Sequence, residues 1–199
     1  LGVDVARGGK DKTVIAPRHG RWFDKLVKRP GTATPDGQAV ATLTISVHRG
    51  KCPVGIDVIG CGASAYDILK ENTWFRTFPI NNAEGSGLRD RSGKLRFSNV
   101  RAASYWKFRE ALDPENGEDL AQPPDTELLA DLCAPKWKLL SRGIQIEAKE
   151  DLIQRLGRSP DSGDAVVLSW WLEVMGTSRP SELRVFKVGD DRRKSAPKI

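Results

Sequence analysis

Three aspartates stand in settings where a lone carboxylate is costly. Asp4 lies inside Leu1-Gly2-Val3-Asp4-Val5-Ala6, and Asp57 inside Val54-Gly55-Ile56-Asp57-Val58-Ile59-Gly60. Asp164 lies in Ser159-Pro160-Asp161-Ser162-Gly163-Asp164-Ala165-Val166-Val167-Leu168. The first two segments are short apolar runs with an acid near their carboxyl end. The third has the form of a capped helix start with an acid in its first turns. A buried carboxylate needs a cation or hydrogen bonds to offset its desolvation. Three such groups brought together would repel one another, and hard oxygen ligands suit magnesium or manganese. The pattern points to a metal-dependent phosphoryl-transfer enzyme, with nuclease as the leading reading.

These acids need elements to position them. Residues 1–6 read as a strand, 7–12 as a tight turn and 13–17 as the returning strand. A third strand is expected at residues 22–27, completing an antiparallel meander with short connections. Asp36 can cap a helix over 37–48, with Val40, Leu43, Thr44 and Val47 on one face. A buried strand at 54–59, a helix at 63–69 and a short strand at 77–80 follow. Further on, helices are expected at 100–112, 126–133, 149–156 and 160–175, with a hairpin around Ser141-Arg142-Gly143. Gly157 closes the third of these helices. Strands alternating with helices predict an α/β fold with a central mixed sheet, the meander joined by parallel strands. The strands carrying Asp4 and Asp57 can then pair in mid-sheet. The last helix can cross their edge with Asp164, Gly163 permitting the close approach. Converging there, the three carboxylates could hold two divalent cations.

The chain has 199 residues, 39% hydrophobic and 29% charged, which suits a globular domain with one core. Residues 1–177 read as that domain and 178–199 as a basic tail. No apolar run approaches the roughly 20 residues that span a bilayer, and no signal peptide precedes the first strand. That abrupt start suggests a fragment cut at a domain boundary. Lys and Arg total 32 against 26 acids, a net charge of +6, and the pI is near 9.3. The balance favours a nucleic-acid partner. Cys52, Cys61 and Cys133 form no C-x-x-C spacing, which argues against a zinc site or disulfide framework. The glycine-rich loop at 81–99 carries the best candidate phosphate contacts: Arg89, Arg91, Lys94 and Arg96, with Arg101 just beyond. Its glycines suggest mobility. Gly87 to Lys94 fails as a phosphate-cradling P-loop, because five residues separate the glycines and Leu95 stands where Ser or Thr is needed.

Together the motifs resemble the C-terminal nuclease domain of tailed-phage large terminases, the motor subunits that package DNA. The resemblance is carried by Gly2-Val3-Asp4-Val5-Ala6-Arg7-Gly8-Gly9-Lys10-Asp11-Lys12-Thr13 and by Gly55-Ile56-Asp57. It is completed by Lys149-Glu150-Asp151 through Arg158-Ser159-Pro160-Asp161-Ser162-Gly163-Asp164-Ala165. It implies an RNase H-like fold and an endonuclease that cuts double-stranded viral concatemer DNA during packaging by two-metal-ion hydrolysis. Asp4, Asp57 and Asp164 become the catalytic metal ligands, for two Mg2+ or Mn2+ ions. Implied partners are double-stranded DNA, an upstream ATPase domain, the portal protein and the small terminase subunit, in the cytoplasm of an infected bacterial host and without a membrane.

Each acid also has a plainer reading. Asp4 could cap the turn at Gly8-Gly9, Asp57 the following helix, and Asp164 could simply favour the helix dipole. Asp161, three residues before Asp164 on the same helical face, reads first as a dipole-favoured acid after an Ser159 N-cap, and second as an indirect or direct metal group. Asp11 reads as a turn acid first and an auxiliary metal-site acid second. His19 and His48 fall outside the motifs, and Trp170-Trp171 reads as core. Competing functions are a related RNase H-like resolvase or transposase nuclease, an actin-like sugar kinase, and a non-catalytic docking or regulatory module of a packaging motor.

Overall fold

A computed structural model describes residues 1–6 and 10–176. The tail expected at 178–199 and part of the first turn lie outside the described residues. The strands are β1 (Gly2–Asp4), β2 (Lys12–Ala16), β3 (Arg18–His19), β4 (Trp22–Phe23), β5 (Val27–Pro30), β6 (Val54–Asp57), β7 (Thr77–Ile80), β8 (Trp137–Leu140) and β9 (Gly143–Ile146). The helices are α1 (Gly37–Val47), α2 (Gly62–Asn72), α3 (Val100–Ala111), α4 (Thr126–Cys133), α5 (Lys149–Leu156) and α6 (Asp161–Val174). A five-stranded sheet runs in the order β5-β2-β1-β6-β7. Its first half is antiparallel, and β1-β6 and β6-β7 are parallel. The expected mixed sheet and the mid-sheet pairing of the strands ending on Asp4 and Asp57 are both borne out.

Side-chain alternation divides the core between the two faces of the sheet. Val3, Ile15, Val54 and Ile56 pack with Val40 and Ala41 of α1 and Ala65 and Leu69 of α2. Val14 and Ala16 pack with Tyr105 and Phe108 of α3, Leu128 of α4, and Ala165, Val166 and Trp170 of α6. Gly2 meets α6 directly: a Cβ there would run into the Ala165 carbonyl and the Ser169 backbone. Gly55 likewise faces Leu172. The close approach to the sheet is therefore made at Gly2 and Gly55. Gly163, expected in that role, instead lies against Asp131 of α4.

The third strand of the meander differs from expectation. It is β5, paired with β2 from Lys12↔Pro30 to Ile15↔Val27. Residues 22–23 instead form a separate ribbon with β3. The reason is Phe23, which is fully buried in the α3–α6 core and donates its backbone N–H to the Ala121 carbonyl at 2.9 Å. Those contacts draw the segment off the sheet. Pro30 is tolerated because β5 is an edge strand. The loop at 81–99 is more organised than its glycines suggest. The Asp90 carboxylate accepts from the Leu95 amide at 2.9 Å and the Ser92 hydroxyl at 2.7 Å, closing a turn. The following residues bridge to β9 through Ile144, whose N–H donates to Arg96 O at 2.8 Å. The three cysteines are free.

Candidate functional site

β1 and β6 end on Asp4 and Asp57, and the register Val3↔Ile56 sets the two acids at neighbouring strand ends. By alternation both share the face of Gly2 and Gly55, the face against which α6 packs. The first turn of α6 carries Asp161 and Asp164. Asp4, Asp11, Asp57, Asp161, Arg101 and Lys149 contribute to the wall of one cavity of about 470 Å³. Asp164 is not part of that wall, and Asp11 is half-buried on it.

Each carboxylate is held differently. Asp57 Oδ1 accepts from the Ile59 amide and Oδ2 from Asn82 Nδ2, both at 2.9 Å. Asp161 Oδ2 accepts from the Lys12 amide of β2 at 2.8 Å. Asp164 Oδ1 accepts from Arg101 Nη1 at 2.8 Å and from the Tyr105 hydroxyl. Its Oδ2 receives no well-directed hydrogen bond but faces the Lys149 ammonium at 2.8 Å. That same ammonium lies 3.5 Å from Asp4 Oδ2. One lysine, at the first position of α5, thus joins the strand acid to the helix acid.

Sequence reasoning missed several of these partners and misassigned one. Arg101, expected to face DNA, is buried and ion-paired with Asp164. The signal was present, since Arg101, Tyr105 and Phe108 follow the i, i+4, i+7 spacing of the buried face of α3. Asp131 was missed as well. It is fully buried, one turn after buried Leu128, and its Oδ2 accepts the Ser162 and Gly163 amides at 3.1 and 3.2 Å. It therefore caps α6 from another helix, and Arg158 balances its charge. The Ser159 cap expected from sequence is not made: Pro160 is the N-cap and has no side-chain bond. The loop cations do not join the acids. Arg89 binds the Gly93 and Lys94 carbonyls, and Arg91 binds Glu110 and Asp113 at the end of α3. Lys94 and Arg96 are exposed.

The electrostatics follow from this geometry. Burial pushes the Asp4 carboxyl well above its usual range; Lys149 opposes that shift, while Asp164, Asp161 and Asp57 reinforce it. Burial would also raise Asp164, but the Arg101 and Lys149 charges outweigh it and hold the group well below the carboxylate range. Lys149 is held above its usual value, burial being outweighed by Asp4 and Asp164. Burial raises the Tyr105 hydroxyl, so it remains a donor.

No protein-family model matches the chain, and no curated protein sequence does. Solved structures do. The nuclease domain of the large terminase subunit gp2 of bacterial virus Sf6 superposes with a TM-score of 0.64 at 19% identity, covering 85% of this chain and 87% of that one. A lysine-to-alanine variant of that domain with manganese and beta-thujaplicinol gives 0.64 at 20% identity, covering 85% and 87%. A further variant with calcium gives 0.64 at 19%, covering 85% and 88%. This chain has the fold of a terminase nuclease domain. That fold is RNase H-like, as the resemblance implied.

Two of these neighbouring structures hold manganese or calcium, and the donor chemistry of this site suits hard cations. The available groups are carboxylate oxygens, and the Asp164 oxygen without a well-directed donor is the one turned toward Asp4. Among the described residues no three acidic, histidine or cysteine side chains converge tightly enough to hold an ion as they stand. Lys149 stands between two of the acids instead.

Two outcomes test this arrangement. Asp131→Ala removes the acceptor of two buried amides and the nearest carboxylate of Arg158, leaving that side chain Glu127 at 3.8 Å, so it should cost about 2 kcal/mol. A thermal melt should fall by roughly 4–8 °C; an unchanged melt would show that α6 needs no cap. The second concerns Asp4, whose folded pKa lies well above that of an ordinary aspartate. Between those values the folded chain binds more protons, so its stability falls as pH rises through the window. Asp4→Asn removes that penalty. In EDTA at neutral pH it should melt about 2–4 °C above the parent, roughly 1 kcal/mol, with the gap closing as pH falls toward about 4. A variant melting below the parent at neutral pH would mean that attraction to Lys149 outweighs burial.

Proposed function

We propose that this chain is a metal-dependent endonuclease that cuts double-stranded viral concatemer DNA during genome packaging. The observation that carries the reading is the shared edge of β1 and β6. Asp4 and Asp57 end neighbouring parallel strands on one face, and α6 adds Asp161 to the wall of the cavity they share, with Asp164 joined to Asp4 through Lys149. The terminase nuclease fold supports it independently.

In this reading Asp4, Asp57 and Asp164 hold two Mg2+ or Mn2+ ions, with Asp161 and Asp11 on the cavity wall as further oxygen donors. Bound divalent cations would lower the pKa of an attacking water and stabilise charge on the leaving 3′ oxygen. The chain's own groups set the stage. Asn82 fixes the orientation of Asp57, and the Lys12 amide fixes that of Asp161. Lys149 bridges Asp4 and Asp164 when no divalent cation does. Phosphate contacts would come from Arg89, Arg91, Lys94 and Arg96, with affinity falling steeply with salt; Arg101 has no part in them, because its guanidinium is buried on Asp164.

The packaging context brings further partners: an upstream ATPase domain, a portal protein and a small terminase subunit, in the cytoplasm of an infected bacterium. Among the described residues no helix is long and apolar enough to cross a membrane.

A supercoiled-plasmid assay tests the reading. The parent should nick and linearise DNA with Mn2+ or Mg2+ and stop in EDTA. Asp4→Asn and Asp57→Asn should each lose more than the roughly 100-fold that removal of a metal ligand's partner costs. Cutting that persists in EDTA, or an Asp57→Asn protein that nicks at the parent rate, would refute it.

A further inference from the structure

Asp164 is gripped on one oxygen only. Arg101 Nη1 donates to Oδ1 at 2.8 Å, and the Tyr105 hydroxyl donates to the same atom. A carboxylate oxygen has two lone-pair positions, so Oδ1 is used up. Oδ2 is left, and it is the oxygen on the Lys149 ammonium that also reaches Asp4 Oδ2. The two donors sit one helical turn apart on α3, with the guanidinium 4.7 Å over the Tyr105 ring. The two side chains are thus stacked on each other as they grip Asp164.

Arg101 is an expensive way to fill this space. Its Nε and Nη2 are buried and have no partner among the described residues. Burying a guanidinium with most of its donors idle costs more than an apolar side chain of similar volume. Its presence is explained by what its remaining N–H does, which is to hold Asp164 ionised and aimed.

We propose that Arg101 and Tyr105 are positioning residues that present Asp164 to a divalent cation through Oδ2 alone. This rests on the reading of Asp164 as a metal ligand. Neither residue touches the cation or DNA. The clamp commits Oδ1, so Asp164 binds through a single oxygen, and it fixes which oxygen turns toward Asp4. It also explains how a helix acid outside the cavity wall can serve a site on that wall: Arg101, which lines the cavity, ties Asp164 to it.

The test is Mn2+ binding by titration calorimetry in the full chain, without DNA, on the parent and on Tyr105→Phe, Arg101→Lys, Arg101→Met and Asp164→Asn. Tyr105→Phe removes one hydroxyl and keeps the ring, so the fold should persist by circular dichroism. Its Mn2+ affinity should fall about tenfold, and that of Arg101→Met by up to about 100-fold, the range seen when partners of ligating groups are removed. Arg101→Lys should recover part of the loss. In plasmid nicking, Tyr105→Phe should raise the Mn2+ concentration needed for half-maximal rate while leaving the saturated rate near the parent's, which a merely structural role would not do. If Arg101→Met does not fold, Tyr105→Phe decides. Parent-like Mn2+ affinity in Tyr105→Phe and Arg101→Lys overturns the clamp. Parent-like affinity in Asp164→Asn also overturns it, because Asp164 is then no ligand. A parent that binds Mn2+ yet never nicks DNA overturns the nuclease reading and leaves the clamp standing.

Discussion

A single ammonium shared by two desolvated carboxylates sets the terms for this structure. Lys149 lies 2.8 Å from Asp164 and 3.5 Å from Asp4, and both acids are almost wholly buried. Without it the strand acid and the helix acid would repel each other across a low-dielectric edge. Their opposite fates follow from the number of cations each can reach. Asp164 has Arg101 as well as Lys149 and stays ionised, while Asp4 relies on Lys149 and drifts upward. Asp4 therefore resists ionising where it stands, and a divalent ion bound beside it would favour its charged form.

The rest of the fold serves to keep those acids together. Glycine at positions 2 and 55 lets α6 lie against the sheet, which brings its first turn to the ends of β1 and β6. Asp131 fixes where α6 begins, and the Lys12 amide holds Asp161. α3 supplies the clamp on Asp164, and α5 delivers Lys149. α3, α4 and α6, distant in sequence, converge because they share one apolar core with the sheet. The cost of grouping like charges is met by packing elsewhere in the core.

Much of the fold could be read from pattern. The strands ending on Asp4 and Asp57 announce themselves as apolar runs, and α5 ends at Gly157 in the left-handed conformation its position suggested, φ 74°. The strand at 22–27 was misread because Phe23 answers to a tertiary pocket, not to its neighbours in sequence. The loop at 81–99 looked mobile because its order depends on Asp90 side-chain bonds and a bridge to β9, neither of which has a periodic signature. In the site, the acids were visible by type and context, whereas their partners were not. Arg101 hid among surface cations, although its place on the buried stripe of α3 betrays it. Asp131 caps a helix 30 residues away, and no local motif encodes a cap supplied from another helix.

Linkage tests, without DNA, whether the acid cluster is a divalent-cation site. Melting curves of the parent should be taken in EDTA and in Mn2+ at rising concentration. At about 100 times the dissociation constant, a cation that binds only the folded state adds roughly 2.7 kcal/mol, or about 5–11 °C in melting temperature. A saturable rise of that size is expected, absent when Asp4 and Asp164 are both replaced by asparagine. A parent that melts at the same temperature in Mn2+ as in EDTA would contradict it.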